Sequence, residues 1–371
     1  MPHSTDKPTE IALFIPSLLG GGAERVGVNF VNELARLGIL CDIVVGDLGQ
    51  ADLLNQVDSR VGIHNLGQRR IRSYAWPLLR YLVRNRPRTL VASMWPLPVI
   101  ALLARFLPFG IQVYAWEHCA EASRKNLLWR SLAMLSYRAL HGRLAVSQGL
   151  ARAWERWLKL PTGAFDAVYN PCVQASNRVE AAPHPLPPEA IQWMSGNSVN
   201  LLAIGSLKPE KNYESLVQAL SYVDSRWHLK LLIAGSGNPE ALLKLAREKG
   251  CAHRLLFCGY VADIQPLLQA ADRLVLSSVS EGLPTVLIEA LNAGVPCIST
   301  DCNFGPREIL ILRDLGELVE VRNPQALARA IETSLERKYN PEQLKASAQR
   351  FEVRAMTQML LSCLGRADLQ K

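Results

Sequence analysis

Long apolar stretches are missing from this 371-residue sequence. The nearest to one, Trp95 to Trp116, is interrupted by Pro96, Pro98, Arg105 and Pro108, which argues against a membrane-spanning helix. The first ten residues are polar, and we expect no secretory signal in them. These features predict a cytoplasmic protein.

The spacings that mark metal sites are also missing. None of the eight cysteines forms a Cys-x-x-Cys pair, and several lie in apolar runs. Scattered cysteines of this kind are typical of reduced thiols in a cytosolic core, and they argue against a structural zinc site. No Asp-x-Asp sequence is present either.

Acidic residues are absent from one long segment. Residues 59–116 contain nine arginines and no aspartate or glutamate, although the whole chain has a net charge of only +8. The densest part, residues 69–88, also contains Tyr74, Trp76 and Tyr81. A basic amphipathic helix with aromatic residues is typical of attachment to an anionic membrane surface; a solvated helix covering the sheet is the alternative. No nucleic-acid-binding module is evident, so we expect no nucleic-acid partner.

The composition that is present is that of a globular α/β protein. Hydrophobic residues make up 49% and charged residues 20% of the chain, and its length exceeds one ordinary core, so we expect two domains. Apolar β-type runs alternate with helical patterns, which predicts parallel sheets. The predicted divisions are an N-terminal domain (1–175), a proline-rich linker (176–198), a C-terminal domain (199–352) and a C-terminal helix (353–371) that crosses back to the first domain.

The most informative stretch runs from Ser280 to Pro296. An apolar run, Arg273 to Ser277, precedes it, and a second, Pro296 to Thr300, follows. Between them, Val286 to Asn292 has helical spacing, and Gly294 stands where a helix stop is expected. The turn places backbone N–H groups and a helix N-terminus at the C-terminal edge of a parallel sheet. That position suits a phosphate or a developing negative charge.

Two carboxylates frame this turn. Glu281 precedes the helix, and Glu289 lies within it, eight positions further on. Because this separation is a little over two helical turns, we expect the two acids to contact different parts of one extended ligand. Vicinal hydroxyls of a ribose or hexose supply the two donors that a carboxylate accepts well. The alternative is that both are solvated charges; the apolar neighbours of Glu289 favour a buried helix and a bound partner.

The motif Ser-Glu-Gly-Leu-Pro at 280–284, with Glu-Ala-Leu at 289–291 and Gly-Val-Pro at 294–296, resembles the Glu-x7-Glu signature of retaining glycosyltransferases of family 4. The resemblance covers nearly the whole chain, from Ile11 to about Phe351. It implies the GT-B fold, an α/β architecture in which two Rossmann-like domains with parallel sheets face a central cleft. It also implies sugar transfer from a nucleotide sugar with retention at the anomeric carbon.

The resemblance implies roles for individual residues. Glu281 and His118 are the catalytic candidates: Glu281 contacts the donor sugar, and His118 contacts the sugar or shapes the acceptor site. Glu289 binds the donor ribose hydroxyls. The other donor-binding candidates are Gly21, Gly22, Ser206, Lys211, Gly282, Leu283, Pro284, Thr285 and Val286.

The glycine-rich turn, Ser17 to Arg25, lies between a strand at Ile11–Pro16 and a helix expected from Val26 to Leu37. It is not GxGxxG, so the pattern alone supports dinucleotide binding only weakly, and a tight turn without a ligand is the alternative. By resemblance, Gly21 and Gly22 lie against the donor diphosphate and the acceptor.

One position departs from the family pattern. The turn after the strand at Asn200–Gly205 carries, in the family, an arginine and then a lysine that both bind the donor diphosphate; this chain has Ser206 and Lys211. Either Lys208 or Arg25 supplies the missing charge, or donor binding is weak. Since helix termini and a lysine can take the place of a metal ion, we expect no metal and no cofactor beyond the nucleotide-sugar co-substrate.

The sequence therefore predicts transfer of a hexose or N-acetylhexosamine, with UDP as the default carrier, to a hydroxyl of a glycan or polyprenyl-linked acceptor. The expected context is polysaccharide or lipopolysaccharide synthesis, with the protein peripheral on the inner face of the cytoplasmic membrane through residues 69–88. Two alternatives stay open: a nucleotide-sugar 2-epimerase, and a non-catalytic glycosyltransferase-like binding subunit, which Ser206 suggests.

Overall fold

The chain divides into two compact units, each built around its own parallel sheet. The computed structural model describes residues 9–49, 51–120, 127–174 and 187–370. Unit 1 comprises Met1–Gln174 and Phe351–Lys371, and unit 2 comprises Ala175–Arg350. Most of the predicted linker (residues 176–186) lies outside the described residues, and its remainder contains a short helix.

The strands, numbered in chain order, are β1 (Ile11–Ile15), β2 (Cys41–Val45), β3 (Gly62–Asn65), β4 (Thr89–Ser93), β5 (Gln112–Glu117), β6 (Gly142–Ala145), β7 (Asp166–Ala167), β8 (Val199–Ile204), β9 (Leu229–Ala234), β10 (Leu255–Gly259), β11 (Arg273–Leu276), β12 (Cys297–Thr300) and β13 (Gly316–Val319). The α-helices are α1 (Gly22–Arg36), α2 (Ala75–Asn85), α3 (Leu97–Ala101), α4 (Leu127–Arg138), α5 (Gln148–Leu158), α6 (Pro188–Trp193), α7 (Tyr213–Tyr222), α8 (Glu240–Glu248), α9 (Gln265–Ala270), α10 (Thr285–Asn292), α11 (Pro306–Ile309), α12 (Pro324–Glu336), α13 (Pro341–Ala348) and α14 (Val353–Cys363). Within these described ranges, no helix combines the length and the apolarity needed to cross a bilayer.

The described residues of unit 1 form a seven-stranded parallel sheet in the order β3-β2-β1-β4-β5-β6-β7. Every residue of β1, β2 and β4 is buried, as expected for parallel strands that helices cover on both faces. The chain leaves β1 toward β2 on one side and later returns to β4 on the other. The crevice between the C-terminal ends of β1 and β4 is therefore a topological switch point.

The end of the chain completes unit 1. The N–H of Val353 donates to the carbonyl of Val173 at 2.8 Å, and the Tyr114 hydroxyl donates to the carbonyl of Leu364 at 3.1 Å. Helix α14 buries Leu360 and Leu361 completely. Burial of apolar side chains at this level contributes about 1.5–3 kcal/mol each, so α14 is part of the core of unit 1.

The described residues of unit 2 form a six-stranded parallel sheet in the order β10-β9-β8-β11-β12-β13. Its switch point lies between β8 and β11. The core on one face is aliphatic and is contributed mainly by β8, β9, α7 and α12. This arrangement confirms the prediction of two Rossmann-like α/β halves.

Two helices differ from their predicted limits. Helix α1 begins at Gly22 and not at Val26, because the carbonyl of Gly21 already accepts the N–H of Arg25 at 3.0 Å. The basic segment 69–88 is α-helical only over α2, which a 3-10 turn at Ile71–Ser73 precedes. Arg86 adopts a left-handed conformation (φ 46°) at its C-cap, and Pro87 follows, which cannot continue a helix.

Candidate functional site

The switch point of unit 2 brings two of the predicted residues together. Lys211 follows β8, and Glu281 follows β11. The Lys211 Nζ donates to the Glu281 Oε1 at 2.7 Å, and the Ser278 Oγ donates to the same oxygen at 2.6 Å. The side chains of Lys211 and Glu281 are 20% and 14% exposed. The site is therefore a partly buried ion pair at the edge where α/β sheets bind their ligands.

Hydrogen bonds hold the loops after β8 and β11 against each other. The Ser277 Oγ donates to the Lys211 carbonyl at 2.8 Å, and the N–H of Val279 donates to the Glu210 carbonyl at 2.8 Å. Asn212 takes a left-handed conformation (φ 48°), and its side-chain amide donates to the Ser277 carbonyl at 3.3 Å. Lys211 is thus positioned from both strands.

The turn that carries Glu281 leads directly into α10. Gly282, Leu283 and Pro284 are buried, whereas Thr285 and Val286 in the first turn of the helix are half-buried. Pro284 occupies the N-cap position, and its side chain offers no acceptor to the first-turn N–H groups. The positive end of α10 is consequently available to an anion.

Gly305 supports this turn from the neighbouring segment. Its φ is +88°, and a Cβ there would lie 2.6 Å from the Cδ of Pro284 and 2.8 Å from the carbonyl oxygen of Gly282. Contacts this close to a backbone admit no side chain. The segment Asp301–Pro306 thus fixes the turn in place through its glycine.

Glu289 lies one turn into α10 and is half-buried, while its neighbours Leu287, Ile288 and Ala290 are buried. The helix is therefore as apolar in its surroundings as predicted, but Glu289 itself is not fully buried. Arg307 pairs with Asp301, at 3.2 Å between Nε and Oδ1.

Ser206 lies in the loop after β8, where the backbone of that loop packs closely against the backbone of the loop after β9. A Cβ on Gly235 would be 1.9 Å from the carbonyl oxygen of Gly205, and the N–H of Leu207 donates to the Ser236 carbonyl at 2.7 Å. The loops after β8 and β9 therefore pack without side chains between them. Lys208 is exposed beside this edge.

In unit 1, Gly21 and Gly22 are exposed at the N-terminus of α1, after β1. The Ser17 Oγ donates to the Glu24 Oε1 at 3.3 Å across this turn. A Cβ on Gly21 would lie 2.4 Å from the Glu24 Oε2. Ser17 and Glu24 therefore bridge the turn, and the Glu24 carboxylate lies beside Gly21 at the start of α1.

His118 directly follows β5 and is 9% exposed. Burial lowers the pKa of its imidazole to about 3, so the ring is neutral and offers one donor and one acceptor. Neither ring nitrogen has a hydrogen-bond partner among the residues that the structure describes. The ring packs on Trp116, with centroids 4.7 Å apart. Buried polar groups in proteins are nearly always hydrogen-bonded, so a bound ligand or water is the expected partner of the His118 ring.

Sequence reasoning did not identify Ser278 and Tyr213. The Tyr213 hydroxyl donates to the Gly205 carbonyl at 2.9 Å, and burial raises its pKa. Serines directly after β11 were the one available signal, because polar residues at a C-terminal strand edge face the ligand side of the sheet. Within the described part of the chain, no three His, Cys, Asp or Glu residues form a group that could hold a metal ion.

Comparison with known families accounts for both units. The sequence model described as "Glycosyl transferases group 1" matches residues 195–351, and that described as "Glycosyltransferase Family 4" matches residues 20–172. The two matches fall on unit 2 and unit 1 respectively.

Two proteins named as glycosyltransferases are similar to this chain along most of their length. An uncharacterized glycosyltransferase of Haemophilus influenzae is 25% identical over 347 residues, which cover 90% of this chain and 91% of that protein. A Campylobacter jejuni α-1,4-N-acetyl-D-galactosaminyltransferase, whose name specifies a diphospho-undecaprenol-linked GalNAc acceptor, is 26% identical over 338 residues (88% and 89%).

Solved structures agree on the fold. Anabaena HepE in complex with UDP superimposes with a TM-score of 0.78 at 19% identity, covering 96% of this chain and 99% of that one. Such a likeness identifies the GT-B fold.

Proposed function

The chain belongs to the family 4 glycosyltransferases, with a group 1 domain in its C-terminal half, and we propose that it transfers a hexose or N-acetylhexosamine from a UDP-sugar with retention of the anomeric configuration. The observation that carries this proposal is the Lys211–Glu281–Ser278 cluster at the switch point of unit 2, next to the N-terminus of α10. It places a cation, a carboxylate and a helix dipole within one loop pair.

The donor diphosphate fits the positive groups of this cluster. The Lys211 ammonium and the first-turn N–H groups of α10 stabilise the charge that develops on the departing UDP. Because Lys211 is paired with Glu281, the ammonium passes to the phosphate when donor enters. Glu281 is then released toward the hydroxyls of the donor sugar. These groups supply the positive charge from the protein itself, so we propose that transfer needs no metal; full activity in excess EDTA is the expected result.

Glu289 and His118 complete the assignment. The half-buried carboxylate of Glu289 binds the ribose hydroxyls, which offer the paired donors that a carboxylate accepts. His118, neutral and buried, contributes a hydrogen bond to the sugar or to the acceptor. A neutral imidazole at the end of a strand orients a ligand without adding charge to it.

The donor base and the acceptor class rest on relatives. HepE was crystallised with UDP, and the Campylobacter transferase is named for an undecaprenol-linked glycan. A lipopolysaccharide 1,6-galactosyltransferase of Salmonella typhimurium also matches part of the chain. We propose UDP as the carrier and a lipid-linked or polysaccharide hydroxyl as the acceptor, in the synthesis of cell-envelope glycans.

Attachment to an anionic membrane surface is proposed for α2. Trp76 is 75% exposed and Val83 is 44% exposed, and Arg80 and Arg84 are exposed beside them. These residues share one helix face, while Leu78 and Leu82 are fully buried on the other. An exposed face of arginine with tryptophan suits the headgroup region of a bilayer.

Thermal unfolding in the presence of UDP, GDP, ADP and dTDP tests the donor assignment. A ligand at 100 times its dissociation constant adds about 2.7 kcal/mol of stability, so UDP should raise the Tm by several degrees and the other nucleotides should not. No shift with any nucleotide at millimolar concentration would favour the binding-subunit alternative, because Ser206 removes one diphosphate contact. Proton NMR of the product then reports the anomeric configuration; an inverted product, or donor breakdown without transfer, contradicts the proposed reaction.

A further inference from the structure

The switch point of unit 1 carries side chains that the donor assignment leaves unused. The loop after β4 borders the crevice between β1 and β4, where open α/β sheets bind ligands. Its first residues are Met94 and Trp95. Met94 has φ +71°, a left-handed conformation that a residue with a Cβ rarely adopts and that concentrates at functional sites.

A buried carboxylate holds the next residue in place. Glu117 is 0% exposed, and its Oε2 accepts the N–H of Trp95 at 3.2 Å. The hydroxyl of Tyr137 donates to its other oxygen, and the N–H of Met94 donates to the Trp116 carbonyl at 2.9 Å. Burying a carboxylate is unfavourable unless hydrogen bonds compensate, and here one of those bonds fixes the backbone that presents Trp95.

The indole of Trp95 is half-buried and belongs to an aromatic cluster. Its ring centroid lies 6.0 Å from that of Tyr137, 6.1 Å from that of Trp157 and 6.5 Å from that of Trp154. Trp157 is also half-buried. The Trp95 Nε1 is buried and has no partner among the described residues. Half-buried aromatic surface at a topological switch point is a common part of a small-molecule site.

We propose that Trp95, supported by Trp157, is the platform on which a pyranose ring of the acceptor glycan stacks. This assignment rests on the proposed glycosyl transfer. The C–H groups on the apolar face of a pyranose are weakly positive and suit the negative face of an indole. A polyprenyl tail lacks such a polarised C–H face and would gain from apolar area alone.

Saturation-transfer NMR on the full-length chain tests the platform directly. The probes are methyl α-glycosides of glucose, galactose, N-acetylglucosamine and N-acetylgalactosamine. At least one should show saturation of the protons on one ring face. Trp95→Leu, which keeps apolar volume but loses the π face, should weaken that binding about tenfold. Trp95→Phe, which keeps a smaller ring, should fall between the two.

Trp227→Leu is the matched control. Trp227 is half-buried in unit 2, and its Nε1 also lacks a partner among the described residues, but it lies between Ser225 and His228, far in the chain from the β4 loop. Its replacement should leave glycoside binding unchanged. Circular dichroism and the UDP-induced Tm shift check that each variant remains folded.

Equal glycoside binding by wild type and Trp95→Leu overturns the platform, as does a wild type that binds none of the four glycosides while still binding UDP. Reduced transfer by Trp95→Leu to lipid-linked acceptors alone, with glycoside binding intact, identifies a lipid contact and also overturns it. Glycoside binding that depends on Trp95 without any UDP shift contradicts the proposed donor and leaves the platform standing.

Discussion

Lys211 and Glu281 form an ion pair at the edge of unit 2, so each charged side chain already has a partner of opposite charge. Their nitrogen–oxygen distance of 2.7 Å and their low exposure make this a strong, charge-assisted contact. In the reaction we propose, a diphosphate that takes the ammonium removes one partner of the carboxylate, and the hydroxyls of the donor sugar replace it. This proposed exchange would couple donor binding to the placement of Glu281.

Replacing Glu281 with glutamine should separate donor binding from turnover. We expect Glu281→Gln to lower kcat at least about tenfold, because the amide binds hydroxyls without the carboxylate's charge. The affinity for UDP should hold or rise, since Lys211 is released from its ion pair. Calorimetric titration with UDP and initial-rate assays measure the two effects.

Glu214→Gln, an exposed change on α7, is the control and should alter neither quantity. Lys211→Met should do the reverse of Glu281→Gln and weaken UDP about tenfold or more. Unchanged turnover in Glu281→Gln would remove Glu281 from the reaction.

His118 makes a prediction about pH. Its pKa is about 3 in the folded chain, against about 6.5 when unfolded, so below about pH 6.5 the unfolded state binds the extra proton and stability falls. Above that pH the residue contributes no pH dependence. At about pH 5 the imidazole should cost about 2 kcal/mol relative to pH 7.5.

Unfolding in denaturant at the two pH values measures this loss for wild type and for His118→Gln, which has no proton to gain. The variant should lose about 2 kcal/mol less on acidification. Identical losses would mean that the imidazole is protonated in the folded chain. Within this range activity should show no ionisation of His118.

At the scale of elements, the turn before α10 depends on Gly305. The residue has φ +88°, and the carbonyl oxygen of Gly282 occupies the space that a Cβ would need. Gly250, after α8, has a similar φ of +70° and nothing within 4 Å. Substituting Gly250 therefore tests the cost of the left-handed backbone alone, and substituting Gly305 adds the cost of a steric clash.

Gly250→Ala should cost about 1 kcal/mol from the left-handed backbone alone. Gly305→Ala should cost about 1–3 kcal/mol more, because it must displace the turn, and it should weaken UDP binding while Gly250→Ala does not. Denaturant unfolding and UDP titration test both. Equal stability losses with unchanged UDP affinity would show that the turn tolerates displacement.

Helix α2 makes the second prediction at this scale. Arg80→Gln with Arg84→Gln should weaken binding to vesicles containing anionic lipid by about 2 kcal/mol, at about 1 kcal/mol per arginine. Arg86 is a poorer target, because its guanidinium stacks on Phe109 at 4.6 Å. Vesicle co-sedimentation at low and high salt measures the effect.

Arg247→Gln with Lys249→Gln removes the same charge from the end of α8 and should leave vesicle binding unaltered. Trp76→Ala should weaken binding to anionic vesicles further at high salt, where the arginines are screened. Equal binding by both arginine variants would assign the attraction to overall charge and not to α2.

The elements that sequence could predict are those buried on both sides. β1 is a continuous apolar run, and β2, β9 and β11 are apolar apart from Asp42, Lys230 and Arg273; the helices that follow them keep helical spacing. β4 was not predicted, although it is central, because five residues flanked by Arg88 and Pro96 give little periodicity. The pairing of Lys211 with Glu281 was also missed. Seventy positions separate the two residues in the sequence, and only the strand order β8-β11 brings them together.

At the scale of the whole molecule, the chain contains two cores that the backbone enters in the order unit 1, unit 2, unit 1. Unit 1 depends on α14 from the far end of the chain, whereas the residues of unit 2 are contiguous. Each core has its own sheet. Stability should accordingly be divided between two transitions and not expressed as a single free energy of unfolding.

Leu361→Ala and UDP should therefore act on different transitions. Leu361 is fully buried on α14, and its truncation should destabilise unit 1 by about 2–5 kcal/mol. UDP, which we propose binds at the β8–β11 switch point, should raise the transition of unit 2 alone. Scanning calorimetry of the wild type and the variant, each with and without UDP, gives four traces. Additive shifts in separate peaks are the expected result, since neither change touches the other core. A single peak that moves with both would mean that the two units unfold as one cooperative body.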